Sequence, residues 1–138
     1  MKKRFLPLVS VLVLSLFAPC GAEEESTPMA DVMSEMNGYY KKMRRTEDAT
    51  AGAELAREAQ RTAIESLQFT PQLTEETKTG AEKVKDVANY RRLIGATFVS
   101  FCELELAFLE EDFDKVGEII DDLRDLKKEG HKAYIKED

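Results

Sequence analysis

The chain has 138 residues, a length that fits one domain of ordinary size and leaves no room for two large ones. Its 20 Lys and Arg residues are outnumbered by 27 Asp and Glu residues, so the formal net charge is −7. Phosphate groups bind to surfaces with a positive field, and this acidic balance therefore argues against nucleic acid or an anionic membrane surface as the partner.

The N-terminal segment 1–22 has the composition of a secretory signal peptide. Residues 2–4 are basic, residues 5–18 are mainly apolar, and residues 20–22 are small enough for a cleavage site. The apolar run of 14 residues is shorter than the ~20 that cross a bilayer, so we expect no membrane span. The segment predicts export to the periplasm. Cleavage after Ala22 removes three basic residues and changes the formal net charge from −7 to −10.

The two cysteines have different expected roles. Cys20 lies at the predicted cleavage site, so Cys102 is the one thiol of the predicted mature chain, which then has no internal disulfide. Lipid modification of Cys20 is an alternative to simple cleavage. Pro19 disfavours it, because such signals carry a small, flexible residue before the cysteine. Cys102 lies in an apolar helical stretch, which favours a buried structural thiol.

The remaining chain predicts an acidic lead-in over 23–27 followed by one all-α domain over 28–138. Strand-like alternation is absent from the sequence, and Pro28 and Pro71 are the only prolines after the signal segment. Thr27 and Pro28 predict the start of a first helix that extends to about residue 46. Its apolar stripe consists of Met29, Met33, Met36, Tyr40 and Met43.

Three further helices follow in the sequence pattern. The second, over about 51–68, presents a face of small residues that would let a neighbouring helix approach closely. Pro71 interrupts the pattern, and Thr74 restarts it as a long apolar helix with an irregular first turn at Gly80. Asp114 is the expected N-cap of the last helix, which ends near Ile135. Four amphipathic helices with short connections predict an antiparallel up-down-up-down four-helix bundle.

Counting the chemically active side chains excludes most enzymatic sites. One histidine and one mature-chain cysteine cannot build a zinc site of the His- and Cys-rich kind. A di-iron bundle needs Glu three residues before a histidine, where Lys128 stands. Asp112 and Asp114 resemble the opening of a calcium loop, but the apolar Leu123 occupies the position of its final ligand. We therefore expect a protein that is not an enzyme.

One pair of residues remains a candidate site. In the predicted bundle, Met33 near the start of the first helix and His131 near the end of the last lie at the same end of the domain. Thioether and imidazole together form the ligand set of a low-spin haem iron. Two structural interpretations stay open: methionine at helical spacing is often core filler, and a histidine near a helix C-terminus interacts well with the helix dipole.

Three segments resemble the cytochrome b562 family of soluble periplasmic four-helix bundles. They are Met-Ser-Glu-Met-Asn-Gly-Tyr-Tyr-Lys at 33–41, Thr-Pro-Gln-Leu at 70–73, and the closing run from Leu123 to His131-x-x-Tyr134. The resemblance covers about residues 29–135 and implies one non-covalent haem b, its iron held by Met33 and His131. The haem pocket it implies is walled by Phe69, Leu73, Val84, Val87 and Tyr90.

The chain departs from the family pattern in its last helix. An alignment without a gap puts Tyr134 at the ligand position, whereas a helix shortened by one turn puts His131 there. The shortened helix keeps His-x-x-Tyr aligned. The basic residues of the family near that histidine are partly matched by Lys127, Lys128 and Lys132.

The leading functional hypothesis is therefore an electron carrier of the periplasm. Its negative charge would favour docking on a basic surface of a redox partner protein. The alternative is a haem-free secreted bundle that acts as a structural or partner-binding module.

Overall fold

The computed structural model describes residues 26–136, and over this range the chain is all-α with no strand, as predicted. The helices are α1 (Pro28–Met43), α2 (Ala49–Ser66), α3 (Gln72–Thr77), α4 (Gly80–Leu109) and α5 (Phe113–Tyr134). The predicted signal peptide and Cys20 lie outside the described residues. No helix in the described part is long and apolar enough to cross a membrane.

Helix α1 begins where the sequence predicts. The Thr27 hydroxyl accepts a hydrogen bond from the Ala30 amide at 3.2 Å, which confirms Thr27 as the N-cap. The helix ends at Met43, about one turn earlier than expected. Met36 and Met43 are buried, whereas Met29 and Met33 are half-buried and pack against the core from its edge.

Helix α2 presents a buried face of small residues to α1 and α4. Asp48 caps its start by accepting a hydrogen bond from the Ala51 amide at 2.8 Å. The buried positions are Gly52, Ala53, Ala56, Ala59, Thr62, Ala63 and Ser66. This confirms the small-residue face. Because these side chains are short, the backbone of α2 can lie close to the large apolar residues of its neighbours.

Polar contacts fix how α2 lies on α4. Near the C-terminus of α2, the Ser66 carbonyl accepts a hydrogen bond from the Tyr90 hydroxyl at 2.8 Å. Further back along α2, Gln60 donates to the Phe101 carbonyl at 3.3 Å. Towards its start, Arg57 pairs with Glu105 at 2.6 Å. Later residues of α2 therefore contact earlier residues of α4.

The long third helix of the sequence prediction is two helices in the structure. Lys78 and Thr79 are extended, with ψ angles of 143° and 162°, and Gly80 has a positive φ of 54° that favours glycine. The short α3 is held in place because the buried Thr74 hydroxyl donates to Asp86 Oδ2 at 2.6 Å. The prediction of one helix with an irregular first turn was therefore wrong in this segment.

The connection between α4 and α5 also differs from the prediction. Asp112, not Asp114, is the N-cap of α5, and its carboxylate accepts a hydrogen bond from the Lys115 amide at 3.0 Å. Glu111 makes the turn with a positive φ of 56°. Asp114 lies in the first turn of α5, where a negative side chain interacts favourably with the helix dipole.

Candidate functional site

A cavity of about 620 Å³ lies between α1, α4 and α5. It exists because α1 packs mainly on α2 and α5 packs mainly on α4, which leaves α1 and α5 apart. The segment containing Pro71 and Leu73 contributes to one wall. Most of the wall is apolar, including Met29, Met33, Met36, Tyr40, Leu73, Tyr90, Leu93, Ile94, Phe101, Leu123 and Leu126. Its volume falls in the range of ~300–1,000 Å³ that is usual for small-molecule and cofactor sites.

The structure brings four of the seven predicted site residues to this cavity. Met33 on α1 and His131 near the end of α5 both line it, together with Leu73 and Tyr90. Met29 and Met36 line it as well, so three thioether side chains of one helix share the wall with the imidazole.

The other three predicted wall residues lie elsewhere. Phe69 and Val87 are half-buried outside the cavity wall, and the Val84 side chain is 71% exposed. Val84 precedes the buried Tyr90 by six residues, which at 100° per residue places it ~120° around the helix. Proximity in sequence to Tyr90 therefore does not bring Val84 to the same face of α4.

Tyr134 and His131, the two alternatives for the ligand position of the last helix, have different surroundings. The Tyr134 hydroxyl accepts a hydrogen bond from Asn89 at 2.9 Å and donates to the Asp86 carbonyl at 3.0 Å. Its ring meets Tyr90 edge to face, with centroids 5.6 Å apart. Both residues line the cavity, but Tyr134 is fixed to α4 by these contacts, whereas the His131 imidazole makes no such hydrogen bond in the described part of the chain.

Lys127 lies one turn before His131 and bridges α5 to α1. Its Nζ donates to Asn37 Oδ1 at 2.8 Å and lies 5.9 Å from the centre of the Tyr40 ring. Lys136, after the end of α5, donates to Glu76 of α3 at 2.7 Å. Both lysines belong to the cavity wall, and so does Glu76, which balances the charge of Lys136, whereas Lys127 donates to an uncharged amide.

The electrostatics of His131 favour its neutral form. Burial of the ring lowers the pKa of His131 below its ordinary value, and the positive charge of Lys127 lowers this pKa further. The residue as a whole stays exposed because it lies at the rim of the cavity. A neutral imidazole has the lone pair that binds a metal ion.

Of the other basic residues that the sequence suggested near the site, Lys128 pairs with Asp125 at 3.0 Å and Lys132 is exposed. Neither belongs to the cavity wall. The contacts of Asn37 and Asn89 could not be predicted from the sequence, because an uncharged amide on a helix carries no signal of the partner it will meet across the fold.

Within residues 26–136, no group of three or more His, Cys, Asp or Glu side chains is arranged to hold a metal ion. The pair of Met33 and His131 is a different ligand set. A thioether and an imidazole are side chains that can hold a haem iron. Met33 and His131 bring these two donor types to the wall of one cavity.

Comparisons of the chain with protein-family models, curated proteins and solved structures found no match.

Proposed function

We propose that this protein is a periplasmic electron carrier that binds one non-covalent haem b, with Met33 and His131 as axial ligands of the iron. The observation that carries the proposal is that these two residues, 98 positions apart in the chain, line the same apolar cavity. Export depends on the signal peptide predicted over 1–22, which belongs to the proposal.

The proposal includes an antiparallel up-down-up-down arrangement of the four long helices, α1, α2, α4 and α5. Contacts between later residues of α2 and earlier residues of α4 support it, as do those that join Asn89 and Arg92 of α4 to the last turns of α5. The short α3 is then an elaboration of the connection between the second and third long helices.

The contact between Lys127 and Asn37 supports Met33 as the ligand opposite His131. In two antiparallel helices, moving forward along one corresponds to moving back along the other. His131 lies four residues after Lys127, and Met33 lies four residues before Asn37, so each step is ~6 Å along its helix. Because a 2.8 Å hydrogen bond joins Lys127 to Asn37, these equal steps place His131 and Met33 at about the same height along the cavity.

When bound, haem would supply the one-electron chemistry of the iron. Met33 and His131 would hold the iron, and a thioether ligand would raise its reduction potential. The apolar side chains of the wall exclude water from the cavity. Lys127, which donates to the uncharged Asn37, would be the cation available to a carboxylate of haem b. The acidic chain would dock on a basic surface of its redox partner, at a rate that falls with ionic strength.

Haem content and haemin titration test the proposal. We expect the purified exported protein to be red, with a b-type spectrum, and acid acetone to extract the haem because no covalent bond holds it. After extraction, added haemin should restore a low-spin spectrum with a one-to-one end point. A colourless protein that leaves the haemin spectrum unchanged would contradict the proposal and favour the haem-free secreted bundle.

A further inference from the structure

Helix α4 carries an apolar stripe on the side that faces away from the rest of the fold. The stripe consists of Gly95, Val99, Cys102, Leu106 and Leu109, which follow each other at spacings of four, three, four and three residues. This repeat keeps one face of a helix continuous and is the pattern by which two helices pack along a seam. We call this set the outer stripe.

The outer stripe is not covered by the described chain. The exposed fractions are 54% for Val99, 59% for Leu106 and 59% for Leu109. Cys102 is half-buried, and a Cβ on Gly95 would meet no atom within 4 Å. Exposed apolar residues scattered singly are ordinary, but a contiguous row of them indicates a contact surface.

Charge is distributed unevenly beside the outer stripe. At its N-terminal end lie the exposed Arg91 and Arg92, of which Arg92 pairs with Glu129 of α5, and at its C-terminal end lies the exposed Glu110. A second α4 in the same direction would bring like charges together. A second α4 in the opposite direction would bring the basic end of each helix to the acidic end of the other, and would also oppose the two helix dipoles.

We propose that the chain forms a homodimer in which α4 packs along α4 of a second copy in antiparallel orientation, through the outer stripe. The pairing is isologous, because the same patch serves both copies around a two-fold axis. The dimer interface contains no residue of the cavity wall, so its test is independent of the proposed function.

The spacing of the outer stripe suggests a register. Val99 of one copy faces Cys102 of the other, which places Gly95 opposite Leu106 and Arg91 opposite Glu110 of the second copy. In this register the large Leu106 packs against the small Gly95, and Arg91 lies opposite the oppositely charged Glu110. The two-fold axis then passes between Val99 and Cys102, so the two Cys102 thiols lie within a few residues of each other along the seam.

Sedimentation velocity of the protein over a range of micromolar concentrations tests the dimer. We expect twice the chain mass at high concentration and a reversible shift towards the monomer on dilution. Leu106→Asp should weaken dimerisation at least tenfold, because it places a charge in the seam. Gly117→Asp is the control: it adds the same charge on the exposed side of α5, where a Cβ meets no atom within 4 Å. Circular dichroism should show that both variants are folded.

A charge reversal tests the orientation. Arg91→Glu and Glu110→Arg should each weaken the dimer, and the double variant should restore it, because only an antiparallel pair brings these residues together. In a Cys20→Ser background, a short bismaleimide should cross-link two chains through Cys102. A protein that is monomeric at every concentration, or a Leu106→Asp variant that dimerises normally, would overturn the proposal. Failure of the double variant to recover would overturn the antiparallel orientation.

Discussion

A Cβ atom at position 52 would lie 2.4 Å from the ring of Phe108. Gly52 is buried on α2, and Phe108 is fully buried near the end of α4. The absence of a side chain at residue 52 therefore allows the aromatic ring to lie directly on the backbone of α2. This contact joins α2 and α4, the two most extensively packed helices of the described residues.

Gly52→Ala should destabilise the protein. The added methyl group cannot fit unless the Phe108 ring or the α2 backbone moves, and overpacking of this kind costs ~1–3 kcal/mol in the free energy of unfolding. Gly117→Ala is the control, because its Cβ would meet no atom within 4 Å and alanine favours the helix by ~0.5–1 kcal/mol. Urea unfolding followed by circular dichroism measures both. A Gly52→Ala variant as stable as Gly117→Ala would contradict the close contact.

Tyr134→Phe should cost ~1–2 kcal/mol of stability, because Asn89 and the Asp86 carbonyl each lose a hydrogen-bond partner. Tyr39→Phe is the control: the Tyr39 hydroxyl donates to the exposed Glu35, a bond that water can replace. If His131 and not Tyr134 is the ligand, Tyr134→Phe should keep the low-spin haem spectrum. Loss of that spectrum would instead support the ungapped alignment of the last helix.

His131→Ala should abolish or greatly weaken haem binding, because the chain has no second histidine to replace the imidazole ligand. Lys132→Ala, which changes an exposed neighbouring residue outside the cavity wall, should bind haemin normally. Haemin titration followed by absorbance compares the two. An unchanged low-spin spectrum in His131→Ala would exclude His131 as the axial ligand.

Met33→Ala should convert ferric haem towards a high-spin form of lower potential, with the haem still held by His131. Met29→Ala and Met36→Ala are the controls, since both residues line the same cavity. Their positions differ from Met33 by ~4.5–6 Å along the helix, too far for an axial Fe–S bond to stretch. Met36 is buried, so its truncation should cost ~2–5 kcal/mol in stability but keep the spectrum. A high-spin form in Met36→Ala alone would mean that Met36, one turn after Met33, is the ligand.

Cys102 should react slowly with iodoacetamide at pH 8. Burial raises the pKa of the Cys102 thiol, and the carboxylates of Glu105 and Glu103 raise this pKa further. A raised pKa means a smaller fraction of the reactive thiolate at this pH. In a Cys20→Ser background, the alkylation rate should increase in denaturant, and Glu103→Gln should increase it in the folded protein. A rate in the folded protein equal to that of the unfolded chain would contradict this prediction.

Much of the helical framework could be predicted from the sequence because it depends on neighbours along the chain. Thr27 caps α1 by a bond to an amide three residues away, and the small-residue face of α2 follows from helical periodicity. The site was predicted only in part. Met33 and His131 line one cavity as expected, but their role as iron ligands stays a prediction.

The remaining features depended on which distant residues meet, and only the tertiary structure decided them. A hydrogen bond from Thr74 to Asp86 holds the separate α3 in place, and a hydrogen bond from Asn89, 45 residues away, fixes Tyr134. The cavity itself results from α1 packing on α2 while α5 packs on α4. Local periodicity determines which face of a helix is apolar. It carries no information on how far apart two such faces lie, because that distance is determined by the volumes of all the side chains between them.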